Sequence, residues 1–161
     1  MSLFKTIGID PGVSGAVAMI HANGLAEVFD LPTIKAARGK SAMDIDTSAL
    51  HHILTPSVMQ YPHKIFIEQV TSRPRQAGQF QFGVNYGRVL GVLEYLFDDV
   101  THVSPQKWKQ ALGLRGEDKS MSVALAAELF PQLKDQLYGP RGAALDGRAE
   151  ALLIAYYGSK P

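Results

Sequence analysis

The chain has 161 residues, 46% of them hydrophobic, a net charge of +1 and no cysteine. That length suits a single domain, residues 1–161, with a sizeable core, and the lack of cysteine excludes disulfides, a thiol nucleophile and thiolate zinc sites. Near-neutral charge excludes a wholesale polycation, but not local basic patches balanced by acids elsewhere. No signal peptide and no apolar run of membrane-spanning length is visible, so a cytoplasmic location without a membrane partner is expected, in a bacterial or phage-infected cell or an organelle.

Phe4 to Ile9 is an apolar run ending at Asp10 and predicts a strand. Gly15 to Ile20 predicts a second strand after the turn Pro11-Gly12-Val13-Ser14, and Leu25 to Leu31 a third, with Asn23-Gly24 as the hairpin signal between them. Three strands joined by tight turns form an antiparallel meander. Pro32 to Ala42 shows no periodicity and reads as a loop. Ile45, Leu50, Ile53 and Leu54 predict a helix, capped near Asp46 or Thr47 and ending near Pro56. Lys64 to Glu68 predicts a short buried strand parallel to the first. Thr71 to Gln79, containing Arg73-Pro74-Arg75, reads as a loop. Phe82 to Phe97 repeats Val84, Val89, Val92, Leu93 and Leu96 at helical spacing. Val100 to Val103 predicts a strand, Pro105 the first turn of a helix carrying Trp108 and Leu112, and Ser120 to Phe130 another helix. After a loop at Gly139 to Gly142, Leu145 to Tyr157 predicts the last helix. Hairpin-linked strands followed by alternating strands and helices define an α/β fold: a mixed sheet with helices on both faces.

Four carboxylates stand out against this frame. Asp10 and Glu68 each end a buried strand, where an acid is costly unless a cation or hydrogen bonds compensate it. Asp146 and Glu150 are four residues apart, so they share one helical face and repel unless a cation lies between them. Converging carboxylates suit Mg²⁺ or Mn²⁺, so the sequence points to a metal-dependent hydrolase. Arg148 lies on another face of that helix.

Basic residues form two groups. Lys35, Arg38 and Lys40 sit in the first loop without nearby acids; Lys107, Lys109, Arg115 and Lys119 form the second. Lysines beside a phosphodiester neutralise its oxygens or stabilise the transition state. Trp108 reads as a core anchor, whereas Phe80 and Phe82, beside the loop of Arg73 and Arg75, suit base stacking. The five histidines show no metal-ligand spacing. Gly83, Gly87 and Gly91 recur every fourth residue on the long helix and admit a close helix neighbour, either internal or from a second copy.

These motifs resemble the RuvC-type Holliday junction resolvases of the ribonuclease H-like superfamily, phage and organellar variants in particular. The matching segments are Gly8-Ile9-Asp10-Pro11-Gly12, Ile67-Glu68-Gln69-Val70, the Phe82 to Phe97 helix, Trp108-Lys109-Gln110, Asp118-Lys119-Ser120 and the helix of Asp146 to Ala155. The resemblance implies a five-stranded mixed sheet and a homodimer that makes paired symmetric cuts in a four-way DNA junction. It implies two Mg²⁺ ions, replaceable by Mn²⁺, on Asp10, Glu68, Asp146 and Glu150, with Lys109 and Lys119 as active-site and DNA-contacting lysines. Arg73, Arg75, Phe80, Phe82, Lys107 and Arg115 complete the expected DNA surface. The chain departs from the family pattern twice. Thr71 stands where a strand-separating aromatic is usual, and the helical acids are spaced by four rather than three. Two rival readings are an actin-like, sugar-kinase-type phosphate-binding lobe, which needs two lobes, and a catalytically silent DNA-binding module, which does not need four acids.

Overall fold

A computed structural model describes residues 4–59, 62–72 and 75–161. The predicted meander is present as β1 (Lys5–Asp10), β2 (Ala16–Ile20) and β3 (Ala26–Asp30), all antiparallel neighbours. Gly24, with φ 85°, closes the second hairpin in a conformation that favours glycine. Two further strands of the same sheet, β6 (His63–Glu68) and β7 (Val100–Val103), join β1 in parallel. The sheet order is β3-β2-β1-β6-β7. Because β1 and β6 run in parallel with Ile9 opposite Ile67, Asp10 and Glu68 emerge at the same edge.

Side chains alternate across a strand, so each face of the sheet acquires its own core. Ile7, Ile9, Ile65 and Ile67 point to one face, where α1 (Thr47–Val58) and α2 (Gln79–Leu96) supply Leu50, Leu54, Val89 and Leu93. The other face holds α3 (Pro105–Ala111), α4 (Lys119–Leu129), a 3₁₀ segment (Pro131–Leu137) and α5 (Asp146–Ser159). Helix α5 is buried almost all round, through Ala149, Glu150, Ala151, Leu152, Leu153, Ile154 and Ala155, as befits a helix embedded in a core. Gly8 makes this possible: a Cβ there would collide with the backbone of Ala151 and Ala155.

Four expectations need correction. Pro32 to Ala42 is not wholly a loop: Thr33–Lys35 (β4) pairs antiparallel with Met43–Ile45 (β5) in a separate two-stranded ribbon. Ile45 therefore belongs to a strand, and the following helix begins at Thr47, capped by Asp46 accepting from the Ala49 amide at 3.0 Å. Helix α2 begins at Gln79, three residues before Phe82, on a left-handed Gly78. The basic loop is also less free of acids than its sequence suggests, since Arg38 lies 2.7 Å from Asp44.

The glycine stripe on α2 faces outward. Gly83, Gly87 and Gly91 are exposed, and a Cβ at any of them would have nothing within 4 Å. They do not serve packing against this chain's own sheet. No helix among the described residues is long and apolar enough to cross a membrane.

Candidate active site

Asp10 ends β1 at the turn where the Gly15 amide bonds to the Gly12 carbonyl at 2.8 Å. Glu68 ends the neighbouring parallel strand. Asp146 and Glu150 come from the first turns of α5, whose backbone lies against the same turn; a Cβ on Gly147 would strike the Ser14 carbonyl. Arg148 points away from the two acids, as its helical position requires. Its Nε donates to Asp30 Oδ1 at 2.7 Å, its Nη2 to Asp30 Oδ2 at 2.8 Å and its Nη1 to the Gln136 carbonyl at 2.7 Å. This two-pronged clamp fixes the start of α5 to the end of β3.

The four acids sense one another. Burial, then the charges of Glu150, Glu68 and Asp146, push the Asp10 carboxyl up to about 7, and one bond from the Gly12 backbone opposes them. Glu68 is also raised by burial, opposed first by its bond from Trp108. The indole is a core anchor as expected, fully buried, but its Nε1 also donates to Glu68 Oε2 at 2.8 Å. Nothing in the sequence signals that second role, since Trp108 and Glu68 are forty residues apart.

Both predicted lysines reach the cluster. Lys109 Nζ lies 3.1 Å from Glu150 Oε1, and Lys119 Nζ pairs with Asp146 Oδ2. The Lys119 hydrogen bond holds Asp146 below the usual carboxylate range and raises the lysine in turn. Asp118 caps α4 by accepting from the Ser120 amide at 2.9 Å, which sets Lys119 at the helix start.

The donor set is all oxygen, and Asp10 makes no salt bridge among the described residues, although its charge helps raise Lys119. A hard divalent cation fits that chemistry. As the side chains stand, no three carboxylates or histidines among the described residues are drawn close enough to clamp an ion. Glu150 and Asp146 are turned onto lysines and Glu68 onto the indole, so ion binding requires their reorientation.

Of the remaining expected DNA contacts, Phe82 lines a groove at this edge. This groove of about 850 Å³ beside Glu68 is lined by Gln69, Thr71, Gln79, Phe82 and Tyr86. Phe82 is 43% exposed, and its ring edge would stand 3.8 Å from a Cβ at Gly12; Phe80 is 85% exposed one residue into α2. Arg75 is exposed in the preceding loop, with φ 64°. Arg73 lies outside the described residues. Lys107 and Arg115 are exposed at either end of the α3 region.

A mixed five-stranded sheet with helices on both faces and acids at the parallel-strand edge defines the ribonuclease H-like fold. The chain has, more narrowly, the fold of the RuvC-type resolvases. It resembles Thermus thermophilus RuvC in complex with a Holliday junction substrate, at TM-score 0.57 and 16% identity over 96% of this chain and 91% of that one. A second Thermus thermophilus RuvC structure gives TM-score 0.51 and 19% identity over 96% and 92%. The yeast mitochondrial Holliday junction resolvase gives 0.55 and 17% over 97% and 78%. No protein-family model and no curated protein sequence matches the chain.

Proposed function

We propose that this protein is a metal-dependent endonuclease that resolves four-way or other branched DNA by paired symmetric cuts. The observation that carries the reading is the cluster of Asp10, Glu68, Asp146 and Glu150 at one sheet edge, with two lysines beside it. The likeness in fold to junction resolvases supports it.

In this reading Asp10, Glu68, Asp146 and Glu150 would together hold two Mg²⁺ or Mn²⁺ ions. When bound, such ions supply charge neutralisation at the scissile phosphate and acidify a water. The chain's own residues do the rest. Trp108 orients Glu68. Lys109 and Lys119 exchange a carboxylate for a phosphate oxygen as the substrate arrives, and stabilise the charge that builds in the transition state. Phe80 and Phe82 offer faces on which an unstacked base at the branch can rest, and Arg73, Arg75, Lys107 and Arg115 hold the strands. No side-chain nucleophile is needed, and the expected ends are 5′-phosphate and 3′-hydroxyl.

Paired cuts in a two-fold symmetric junction need two active sites, which a C₂ homodimer supplies. The outward glycine stripe on α2 is the surface proposed for its close helix contact. A cytoplasmic or organellar location follows from the substrate.

Cleavage of a four-way junction, a Y-fork and a linear duplex, with Mg²⁺, Mn²⁺ or EDTA, tests the reading. Asp10→Asn and Glu68→Gln should lose cleavage while still binding the junction. Near wild-type cutting by either variant would refute the carboxylate assignment.

A further inference from the structure

The β4–β5 ribbon is not used by the chemistry above, yet it is firmly anchored. Its inner edge is held by a buried acid: Asp44 is 7% exposed and accepts from Gln81 Nε2 at 3.0 Å and from Arg38 Nη1 at 2.8 Å. Arg38 also donates to the Met43 carbonyl at 3.1 Å, across the ribbon. The backbone of Ile45 is clasped from α2, its N–H by Asn85 Oδ1 at 2.8 Å and its carbonyl by Arg88 at 3.2 Å. A three-residue strand pair is too short to persist alone, so these bonds make the ribbon a fixed projection of the α2 N-terminal half.

The root of the projection is tied to the catalytic turn. The Leu31 amide bonds to the Gly15 carbonyl at 3.0 Å, and the Asp46 amide to the Pro32 carbonyl at 2.8 Å. The outer part has one-sided chemistry. Residues 33–43 contain Lys35, Arg38 and Lys40 and no acid. Arg38 is committed to Asp44, whereas Lys35 and Lys40 are exposed and have no acidic partner among the described residues. Apart from these cations the tip is Ala36, Ala37, Gly39, Ser41 and Ala42, with no bulky side chain to hold a large polyanion away. Ile34 is the one large apolar residue exposed there, which leaves little for an apolar partner to grip.

We infer that the β4–β5 ribbon is a further DNA-backbone contact, with Arg38 and Asp44 as its strut and Lys35 and Lys40 as its phosphate ligands on a duplex arm. The inference rests on the branched-DNA reading. Because its root is bonded to the turn that follows Asp10, the ribbon adds a contact separate from those of Lys109 and Lys119.

Anisotropy titrations of a labelled junction against salt test this, in a Glu68→Gln background that binds without cutting. Each phosphate contact contributes about 0.9 to the slope of log K against log salt. Lys35→Ala/Lys40→Ala should therefore flatten the slope by about 1.8, with the two curves converging at high salt. Neutral methylphosphonates moved stepwise along one arm should weaken unsubstituted protein at one or two positions, and should not weaken the double variant further there. Equal slopes, with the unsubstituted protein binding and cutting normally, overturn the ribbon assignment alone. Failure of the unsubstituted protein to bind or cut any junction overturns both the nuclease reading and this one.

Discussion

Gly8 is the position at which a single methyl group should damage fold and site together. A Cβ there would stand 2.8 Å from the Ala155 Cα and closer still to the Ala155 nitrogen and the Ala151 carbonyl oxygen. Carbon atoms in ordinary contact sit about 3.5–4.0 Å apart, so α5 must retreat by at least about 0.7 Å. Overpacking typically costs about 1–3 kcal/mol, and the obstacle here is helix backbone, which cannot rotate aside. Taking about 3 kcal/mol, and about 2–4 °C per kcal/mol for a chain of this size, Gly8→Ala should lower Tm by about 6–12 °C. The retreat also carries Glu150, the residue before Ala151, away from Asp10. Misplacement on the order of 1 Å can cost about 10²-fold in rate, so junction cleavage should fall by about that factor at a temperature where the variant is fully folded. Circular dichroism melting and single-turnover cleavage read the two effects. Gly139→Ala is the control, since a Cβ there meets nothing closer than the Ala143 carbonyl oxygen at 3.6 Å. A Gly8→Ala protein that melts within about 2 °C of the wild type and cuts within about twofold would refute the argument from overpacking against α5.

Two further outcomes follow from the geometry. Trp108→Phe keeps most of the buried ring but removes the 2.8 Å bond to Glu68. A hydrogen bond to a charged group contributes about 1.5–3 kcal/mol, so cleavage should fall roughly 10- to 100-fold; because that bond opposes the raised Glu68 pKa, the acidic limb of the pH–rate profile should also move to higher pH, and an unmoved limb would deny the indole a positioning role. Gly91→Leu should fold at least as stably as the wild type, since glycine is about 1 kcal/mol less favourable than good helix formers, yet it should dissociate the proposed dimer in light scattering and yield nicked rather than resolved junctions; a variant as dimeric as the wild type would remove the stripe from the interface.

The strands and long helices were legible because their apolar residues repeat with a clean period. Asn23-Gly24 marked the hairpin, and Ile7-Gly8-Ile9 and Ile65-Phe66-Ile67 marked two buried strands, the second expected parallel to the first; their pairing puts both acids at one edge. Asp10 and Glu68 were legible because each ended an apolar run, and Asp146 and Glu150 because like charges four residues apart share one helical face. What escaped was set by tertiary partners. Three residues of β4 and three of β5 are too few to show alternation, and the ribbon exists because Asp44, Asn85 and Arg88 meet across some forty residues. The Trp108–Glu68 bond and the Arg148–Asp30 clamp are equally remote in sequence. Glycines spaced by four residues fit an inward or an outward face alike, and only the packing of Val89 and Leu93 against the sheet turned Gly83, Gly87 and Gly91 outward.

The place of α5 also bears on how the protein is made. This helix packs directly on β1, β2, β3 and β6, yet it leaves the ribosome after every strand it covers. Until residues 146–159 are synthesised, Ala16, Ala18 and the inner faces of α3 and α4 have no partner to close on. The nascent chain must then hold an open sheet whose contacts span nearly its full length, a topology that folds slowly. Asp10 and Glu68 also lack their helical counterparts during that time. A ribosome that stops anywhere before α5 releases a chain with neither a closed core nor a complete acidic cluster. On the proposed nuclease reading, truncated products lack two of the four acids, and cutting becomes possible only once the chain has passed Glu150.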